Sequence, residues 1–338
     1  MSVLANNYLT LVDLMKQTAK DTVVADIAEI MSQSSDLIKD AHVMECNDGT
    51  KHLSVIRHGL PKGVFRKLYG FVPTEKSTTE NVTDNTGMLE AYSVVDVDLV
   101  EKAKNPKQFR LNESKAFVEG MSQTAQETII YGNMADNNAA FNGLAVRYGA
   151  ISDKKENIGF NVVDAGGTGN DNTSIWLVTW GEQDTALLYP SGSKGGLNHK
   201  DDGILTETDA KGGKRKVYQD HFKHDLGLTV KDWRSTCRVA NISIEKLIAG
   251  QVDILALLRK AYFKVKTHIR KSGQKTFIYV NSTIAEALDK AAADKQNVML
   301  TIKEYDGMDI VHYKGIPIRV IDQILETEEQ VKPVKDAA

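Results

Sequence analysis

The sequence predicts an α+β fold in which one long helix is flanked by extended strands. Apolar residues recur every four positions from Phe117 to Ile129, which is the spacing of one face of a helix. Residues 89–99 alternate between apolar and polar side chains, a pattern typical of a half-buried strand. Near the end of the chain a strand pattern leads into a helix pattern and then into short strands. These three observations predict a mixed architecture of helices and strands.

The N-terminal region, residues 1–39, carries two short amphipathic helical patterns in succession. Two such helices ahead of the first strands could pack on their own domain. They could equally lie as an arm on a neighbouring molecule. The pattern does not separate these alternatives, and both stay open at this point.

A long hairpin is predicted next. Residues 52–68 form an extended run broken by a glycine- and proline-containing turn, and residues 74–86 form a polar, threonine-rich piece. We expect this hairpin to carry basic residues and to have little to bury. A two-stranded hairpin is marginally stable by itself. The segment is therefore either a surface loop or an element that something else covers.

The long helix is predicted over residues 112–132. The side chain of Asn112 is a plausible N-terminal cap, and Gly132 is a typical helix terminator. About twenty residues at roughly 1.5 Å each give a rod of about 30 Å. Gly120 lies in the middle of the helix, where glycine costs about 1 kcal/mol relative to alanine.

The rest of the chain is predicted to contain one further long helix, one short helix and several strands. A polar connection over residues 133–142 follows the long helix, and a glycine-rich loop over residues 164–172 precedes the next strand. The tail after residue 326 is expected to fray. The predicted elements are a strand at 174–180, a hairpin turn at 209–216, an extended segment at 225–240, a helix at 244–265, a strand at 275–280, a helix at 282–293 and strands at 298–302, 308–313 and 316–321.

Composition excludes several classes of protein. The 338 residues are 41% hydrophobic and 26% charged, as in a folded domain, and the net charge of −3 argues against phosphate binding as the main function. Cys46 and Cys237 are isolated, which excludes a disulfide scaffold or a CxxC zinc site and fits a reducing cytosol. The sequence shows neither a signal-peptide core nor eighteen consecutive apolar residues, so we expect no membrane span.

Catalytic motifs are missing from the sequence. It contains no P-loop, no GxGxxG fingerprint, no GxSxG elbow and no HExxH zinc motif. The best isolated candidate for an acid–base or metal site is the cluster Asp220, His221, His224 and Asp225. In an extended segment two histidines three positions apart point to opposite faces, so the cluster does not converge. We therefore expect no enzyme activity and no cofactor.

Four segments carry a resemblance to a known family: STTENVTDNTGMLEAYSVVD (77–96), DAGGTGNDNTSIWLVTWG (164–181), DLGLTVKDWR (225–234) and YKGIPIRVID (313–322). Together with the order of the parts, they resemble the major capsid proteins of short-tailed (podovirus-type), double-stranded DNA bacteriophages, which have the HK97-like fold. The resemblance spans essentially the whole chain. Its motifs are structural, so their specificity lies in order and spacing.

The resemblance implies a domain layout. It consists of an N-terminal arm (1–45), an extended E-loop hairpin (46–88), a P-domain (89–150) with the long helix 112–132 as its spine, an A-domain (151–304) with P-domain strands interspersed, and C-terminal strands and tail (305–338).

The resemblance also implies a function. The chain is expected to self-assemble through hexamers and pentamers into the icosahedral shell around the viral double-stranded DNA. Its expected partners are other copies of itself, scaffolding and portal proteins, a decoration protein, and packaged DNA bound on the inner face without sequence specificity. The expected location is the virion capsid, assembled in the host cytoplasm.

Within that resemblance the basic residues of the hairpin suggest intersubunit contacts. Arg57, Lys62, Arg66 and Lys67 are expected to meet acidic neighbours such as Glu75, Glu80, Asp96 or Asp98. Exposed ion pairs contribute only about 0–1 kcal/mol each, so apolar and strand contacts should supply most of the stability of a shell. Two alternatives remain open: a non-viral encapsulating shell protein of the same fold, and an enzyme built around the cluster at residues 220–225.

Overall fold

The computed structural model describes residues 35–59, 61, 63–208, 210–266, 275–292, 300–305 and 308–334. Two helical patterns were predicted for residues 1–39, and the part of them up to position 34 lies outside the described residues. So does Lys62, one of the predicted contact residues.

The helices of the described residues are dominated by one rod of 26 residues, which we call the spine helix. It begins six residues before the predicted start, because Asn105 caps it by accepting a hydrogen bond from the Gln108 N–H and Pro106 occupies its first turn. The predicted cap at Asn112 is therefore wrong, whereas the end at Gly132 is confirmed. The helices are α1 (Asp36–Asp40), α2 (Val97–Lys102), the spine helix α3 (Pro106–Tyr131), α4 (Leu144–Arg147), α5 (Ile244–Ile248), α6 (Ile254–Val265) and α7 (Ser282–Ala292).

Most of the predicted strands are present and several are longer, whereas the strands Val162–Asp164 and Thr185–Tyr189 were not predicted. The described strands are β1 (Val43–Glu45), β2 (Lys51–Gly59), β3 (Thr78–Asp96), β4 (Val162–Asp164), β5 (Asn172–Trp180), β6 (Thr185–Tyr189), β7 (Gly196–Thr208), β8 (Lys214–Val230), β9 (Cys237–Ser243), β10 (Lys275–Val280), β11 (Leu300–Tyr305), β12 (Met308–Tyr313) and β13 (Ile316–Val320).

Three further predicted elements differ from the structure. The strand predicted over residues 89–99 ends at Asp96, whose side chain accepts a hydrogen bond from the Asp98 N–H and so starts α2. The helix predicted over residues 244–265 is two helices, because Gly250 adopts φ +69° after α5 and Asp253 caps α6. The extended segment predicted over residues 225–240 is interrupted by a 3₁₀ turn at Trp233–Ser235.

The described strands form one continuous hydrogen-bonded sheet. Its main path runs β11–β12–β13–β10–β5–β6–β8–β3–β2, with β7 pairing with β8 off this path. β8 lies antiparallel to β3, β6 and β7, so it joins the middle of the sheet to two long hairpins.

Two clusters of buried apolar residues cover different parts of this sheet. The first packs the spine helix, through Val118, Met121 and Ile129, against residues of β8 such as Phe222. The second packs α6 and α7 against β9, β10 and β13. The first cluster is the one that holds the spine helix against β3 and β8.

The C-terminal segment is a packed strap over residues 326–334, so the prediction of a frayed tail is wrong for this part of it. Glu328 is buried and bonds to Arg238 Nη2 at 2.9 Å. It also accepts hydrogen bonds from the hydroxyls of Ser174 and Tyr131. Because Tyr131 is the last residue of the spine helix, the strap fixes that end of the helix to the sheet.

Candidate assembly interface

The predicted E-loop hairpin is an arm built from β2 and the first half of β3. Their antiparallel register runs from Lys51 opposite Asn85 to Gly59 opposite Thr78. From Thr86 onward β3 leaves β2 and pairs with β8. The threonine-rich piece that carries no apolar pattern is therefore mostly strand. One unbroken strand belongs first to the arm and then to the body of the subunit.

The root of the arm is fixed to the body by polar contacts. Arg147 Nη2 donates to Asp84 Oδ1 at 2.6 Å and to the Leu228 carbonyl at 3.1 Å. The hydroxyls of Ser54 and Thr229 are 3.5 Å apart and buried. Buried ion pairs that are broken on one side cost several kcal/mol, so this contact holds the direction of the arm.

The far end of the arm, residues 63–72, is an apolar tip. Four large side chains in it are 90% or more exposed: Phe65, Leu68, Tyr69 and Phe71. A turn over residues 67–70 is closed by a 2.9 Å hydrogen bond from the Gly70 N–H to the Lys67 carbonyl. Within it Tyr69 has φ +65°, in the left-handed region where an aromatic residue is uncommon. The segment thus presents its apolar side chains to solvent, and contiguous exposed apolar groups of this size mark interaction sites.

The prediction that this hairpin has little to bury is therefore wrong. The sequence interpretation misses the tip because it considers the basic residues and the turn residues of the hairpin and leaves out the apolar residues between them. The signal is present as the run VFRKLYGFV at residues 64–72. Unlike helix or strand faces, this run has no regular period, so pattern reading passes over it.

The predicted contact residues lie along the same arm. Arg66, Lys67, Glu75 and Glu80 are exposed, and Arg66 Nη1 donates to the Gly70 carbonyl at 3.4 Å. The side chain of Arg57 lies outside the described residues. Asp96 is occupied as the cap of α2. That these charges pair with a neighbouring copy stays a prediction.

The histidine–aspartate cluster does not converge on one site, because its residues follow one another along β8. The side chain of Asp220 is held by Arg110 Nη2 and by His199 Nε2, each 2.9 Å from Asp220 Oδ1. His221 stacks on Tyr92 with ring centroids 4.4 Å apart, whereas His224 is fully buried. The two histidines are therefore apart, as the strand pattern predicted.

The described residues contain no group of three or more histidine, cysteine, aspartate or glutamate side chains placed to hold a metal ion. Burial raises the pKa of the Cys46 thiol to about 11 and that of Cys237 to about 12, and both cysteines are free. No helix among the residues described is long and apolar enough to span a bilayer.

Comparison with known proteins decides the family. The family model for the major capsid protein GP7 matches residues 19–332. The chain belongs to this family. A protein chain in the structure of bacteriophage Epsilon15 is 31% identical, with a TM-score of 0.68, and the match covers 98% of this chain and 99% of that one. The predicted resemblance to major capsid proteins of short-tailed phages is confirmed, and so is the function as a major capsid protein of the virion.

A more distant likeness concerns the fold alone. The bacteriophage JBD30 capsid protein is 9% identical, with a TM-score of 0.50 over 86% of this capsid protein and 90% of that chain, which supports the HK97-like fold. The SrpI encapsulin of Synechococcus elongatus matches with a TM-score of 0.39 and 12% identity, over 61% of this chain and 87% of that one. That likeness is too weak to favour the encapsulating-shell alternative. No match was found among curated proteins.

Proposed function

We propose that copies of this capsid protein join through the arm into hexamers and pentamers, which close into the icosahedral shell around the double-stranded DNA genome. In this arrangement the arm of one subunit lies over the next subunit in the ring. A contact between different surfaces of identical subunits is heterologous, and it closes into a ring when the rotation permits.

The apolar tip is the observation that carries this proposal. Phe65, Leu68, Tyr69 and Phe71 are almost completely exposed in the single subunit. Aromatic side chains bury about 150–250 Å² each, so the tip offers several hundred Å² of contact, comparable with the roughly 800 Å² per partner of a standard interface. At about 25 cal/mol per Å² of apolar surface, its burial would stabilise the contact more than the exposed ion pairs of the arm, which contribute about 0–1 kcal/mol each.

The family membership supports the remaining parts of the proposal. We assign residues 1–45 to an N-terminal arm, 46–88 to the E-loop, 89–150 to the P-domain, 151–304 to the A-domain with interspersed P-domain strands, and 305–338 to the C-terminal strands and tail. Scaffolding and portal proteins, a decoration protein and packaged DNA are the proposed partners. Assembly takes place in the host cytoplasm, and the protein performs no catalysis.

The test replaces the apolar tip without changing its length. A variant with Phe65→Ser, Leu68→Ser, Tyr69→Ser and Phe71→Ser should fold with the melting temperature of the wild-type subunit, because these side chains are exposed in the single subunit. Sedimentation velocity and electron microscopy should show that it forms no rings or shells. The matched control changes charged residues of the same arm, Arg66→Ser, Lys67→Ser and Glu75→Ser, and should still assemble.

Two results would overturn the proposal. If the four-serine variant forms normal shells, the tip is not an intersubunit contact. If only the charge variant loses assembly, ion pairs and not apolar burial hold the subunits together.

A further inference from the structure

At the root of the arm lies an apolar cleft of about 140 Å³ between β3 and the spine helix. Gly87 and Leu89 line it from the strand, Ala125 and Thr128 from the helix, and Phe141 from the connection that follows the helix. A Cβ atom on Gly87 would lie 2.8 Å from the Ala139 carbonyl, so glycine is what lets that connection pack closely against β3. The cleft is therefore a built feature of the subunit.

The two threonine hydroxyls that line the cleft do not need a polar ligand as a hydrogen-bond partner. The Thr124 hydroxyl donates to the Gly120 carbonyl at 3.0 Å, and the Thr128 hydroxyl donates to the Thr124 carbonyl at 2.8 Å. Both hydroxyls are satisfied within the helix. The remaining lining side chains are mostly apolar, so an apolar group fits the cleft better than a charged one.

The size of the cleft points to one aromatic ring. An apolar cavity of about 150 Å³ binds a benzene molecule in a protein interior. A phenyl ring fits such a site better than a phenol ring, because a tyrosine hydroxyl would need a partner there. Among the described residues, the two phenyl rings with the greatest exposure are those of Phe65 and Phe71, both at the tip of the arm.

The arm keeps these rings away from the cleft of their own subunit. β2 is nine residues long, which at about 3.3 Å per residue places the tip about 30 Å from the root. The root contact between Arg147 and Asp84 fixes the base of the arm. A tip can therefore reach a cleft only in a second copy. The tip of that copy can in turn reach the cleft of a third copy.

We propose that the cleft at the arm root is the receptor for the tip of a neighbouring subunit, and that it takes up the phenyl ring of Phe65 or Phe71. This inference rests on the proposed role of the arm and names the partner surface. The repeating contact is tip to root, so the length of the arm sets the distance between subunits around the ring. The tip as a whole offers several hundred Å², a substantial part of the roughly 800 Å² that one partner of a standard interface contributes.

Cysteine crosslinking tests the contact directly. Ala139, which lines the cleft and is exposed, is changed by Ala139→Cys, combined with Phe71→Cys in one variant and with Phe65→Cys in another. The natural thiols are buried, which spares them from a short bismaleimide. We expect at least one double variant to give a ladder of covalent oligomers under assembly conditions, while each single variant stays at monomer size. Mass spectrometry identifies the joined peptides.

Filling the cleft tests its contribution to assembly. Thr124→Phe places a ring at the cleft wall, whereas Gln123→Phe places the same ring on the neighbouring exposed helix position, outside the lining. With both subunits folded by circular dichroism, the first should raise the protein concentration needed for assembly at least tenfold. The second should leave it unchanged.

The outcomes separate this inference from the proposed function. If the four-serine tip variant fails to assemble but no crosslink forms, or Thr124→Phe assembles like Gln123→Phe, the tip binds elsewhere and the receptor assignment is overturned. A crosslink that joins the Ala139→Cys position to a peptide other than the tip of a second copy would overturn it too. If the four-serine variant assembles normally, the proposed function fails together with the inference.

Discussion

The two long hairpins of the subunit have similar backbones, but the side chains at their ends differ in chemical character. The arm, β2–β3, ends in the apolar tip. The second hairpin, β7–β8, extends past the last β3–β8 pair at Asp96 and Val217, and its end carries Lys214, Arg215 and Lys216. Arg215 is paired with Glu207 at 2.6 Å. The difference shows that projection from the body does not by itself indicate an interface, because solvated charges cover one end while apolar side chains are left uncovered at the other.

The largest expected effect comes from shortening each hairpin. Replacing residues 63–76 with a short glycine–serine turn should leave a folded subunit that forms no shells, because the apolar contact is gone. Replacing residues 207–215 in the same way should leave assembly intact. Circular dichroism reports the fold and sedimentation reports assembly. Equal behaviour of the two deletions would remove the distinction between the hairpins.

The next effect concerns one ion pair in each hairpin. Arg147 and Asp84 at the arm root are 14% and 4% exposed, whereas Arg215 and Glu207 near the other end are 61% and 49% exposed. Removing one partner of a buried pair costs about 3–5 kcal/mol, while an exposed pair contributes about 0–1 kcal/mol. Urea unfolding should therefore show Arg147→Ala to be destabilised by about 3 kcal/mol and Arg215→Ala by less than about 1 kcal/mol. Similar losses would mean that the arm root is not clamped.

A smaller effect lies in β8, which belongs to the second hairpin and pairs with β3 of the arm. His224 of β8 is opposite Leu89 of β3 and Leu197 of β7, and burial lowers its pKa to about 4 from the usual 6.5. The unfolded chain then binds a proton more readily, so stability present above pH 6.5 is lost as the pH falls towards 4. The loss from pH 7 to pH 5 should be about 2 kcal/mol.

The comparison variant for this effect is His224→Leu, measured over the same pH range. A difference between the two curves is needed because burial raises the pKa of Asp40 to about 6, which favours the folded state at low pH and opposes the histidine effect. The subunit with leucine should show the smaller loss on acidification. Parallel curves would mean that His224 accepts its proton without disturbing the packing.

The smallest effect concerns the charges of the arm. Raising the salt concentration from about 0.1 M to about 0.5 M weakens exposed ion pairs and leaves apolar contacts nearly unchanged. We expect the protein concentration needed for assembly to change by no more than about threefold. Arg66→Ala or Lys67→Ala should weaken the free energy of assembly by at most about 1 kcal/mol per contact. Light scattering measures both. A steep loss of assembly with salt would favour the predicted charge pairs over the apolar tip.

The sequence predicted those parts of the fold in which burial leaves a regular period. The spine helix and the second half of β3 each bury one face, so their patterns show in the residues. The starts of helices were predicted less well. Asn105 followed by Pro106 is a good N-terminal signal, but it lies ahead of the apolar stripe that drew attention to Asn112.

The interface itself was only partly predictable. The hairpin could be placed, because turn residues and extended runs bound it. Its apolar tip could not be derived from periodicity, since Phe65, Leu68 and Phe71 are exposed in the subunit and no buried face imposes a pattern on them. The cleft at the root depends on residues from the strand, the helix and a loop, and their approach at Gly87 is set by tertiary packing.

The unbroken course of β3 has a mechanical consequence. Its 19 residues extend over roughly 60 Å at about 3.3 Å each, half of them in the arm and half against the body. A pull on the tip is carried along the covalent backbone into the body, where the β3–β8 hydrogen bonds resist sliding together rather than opening one at a time. If the tip binds a neighbouring subunit as proposed, each β3 strand would transmit tensile force from one subunit to the next. Pressure inside a shell made of such parts would be borne as tension along the strands and not as bending of loops.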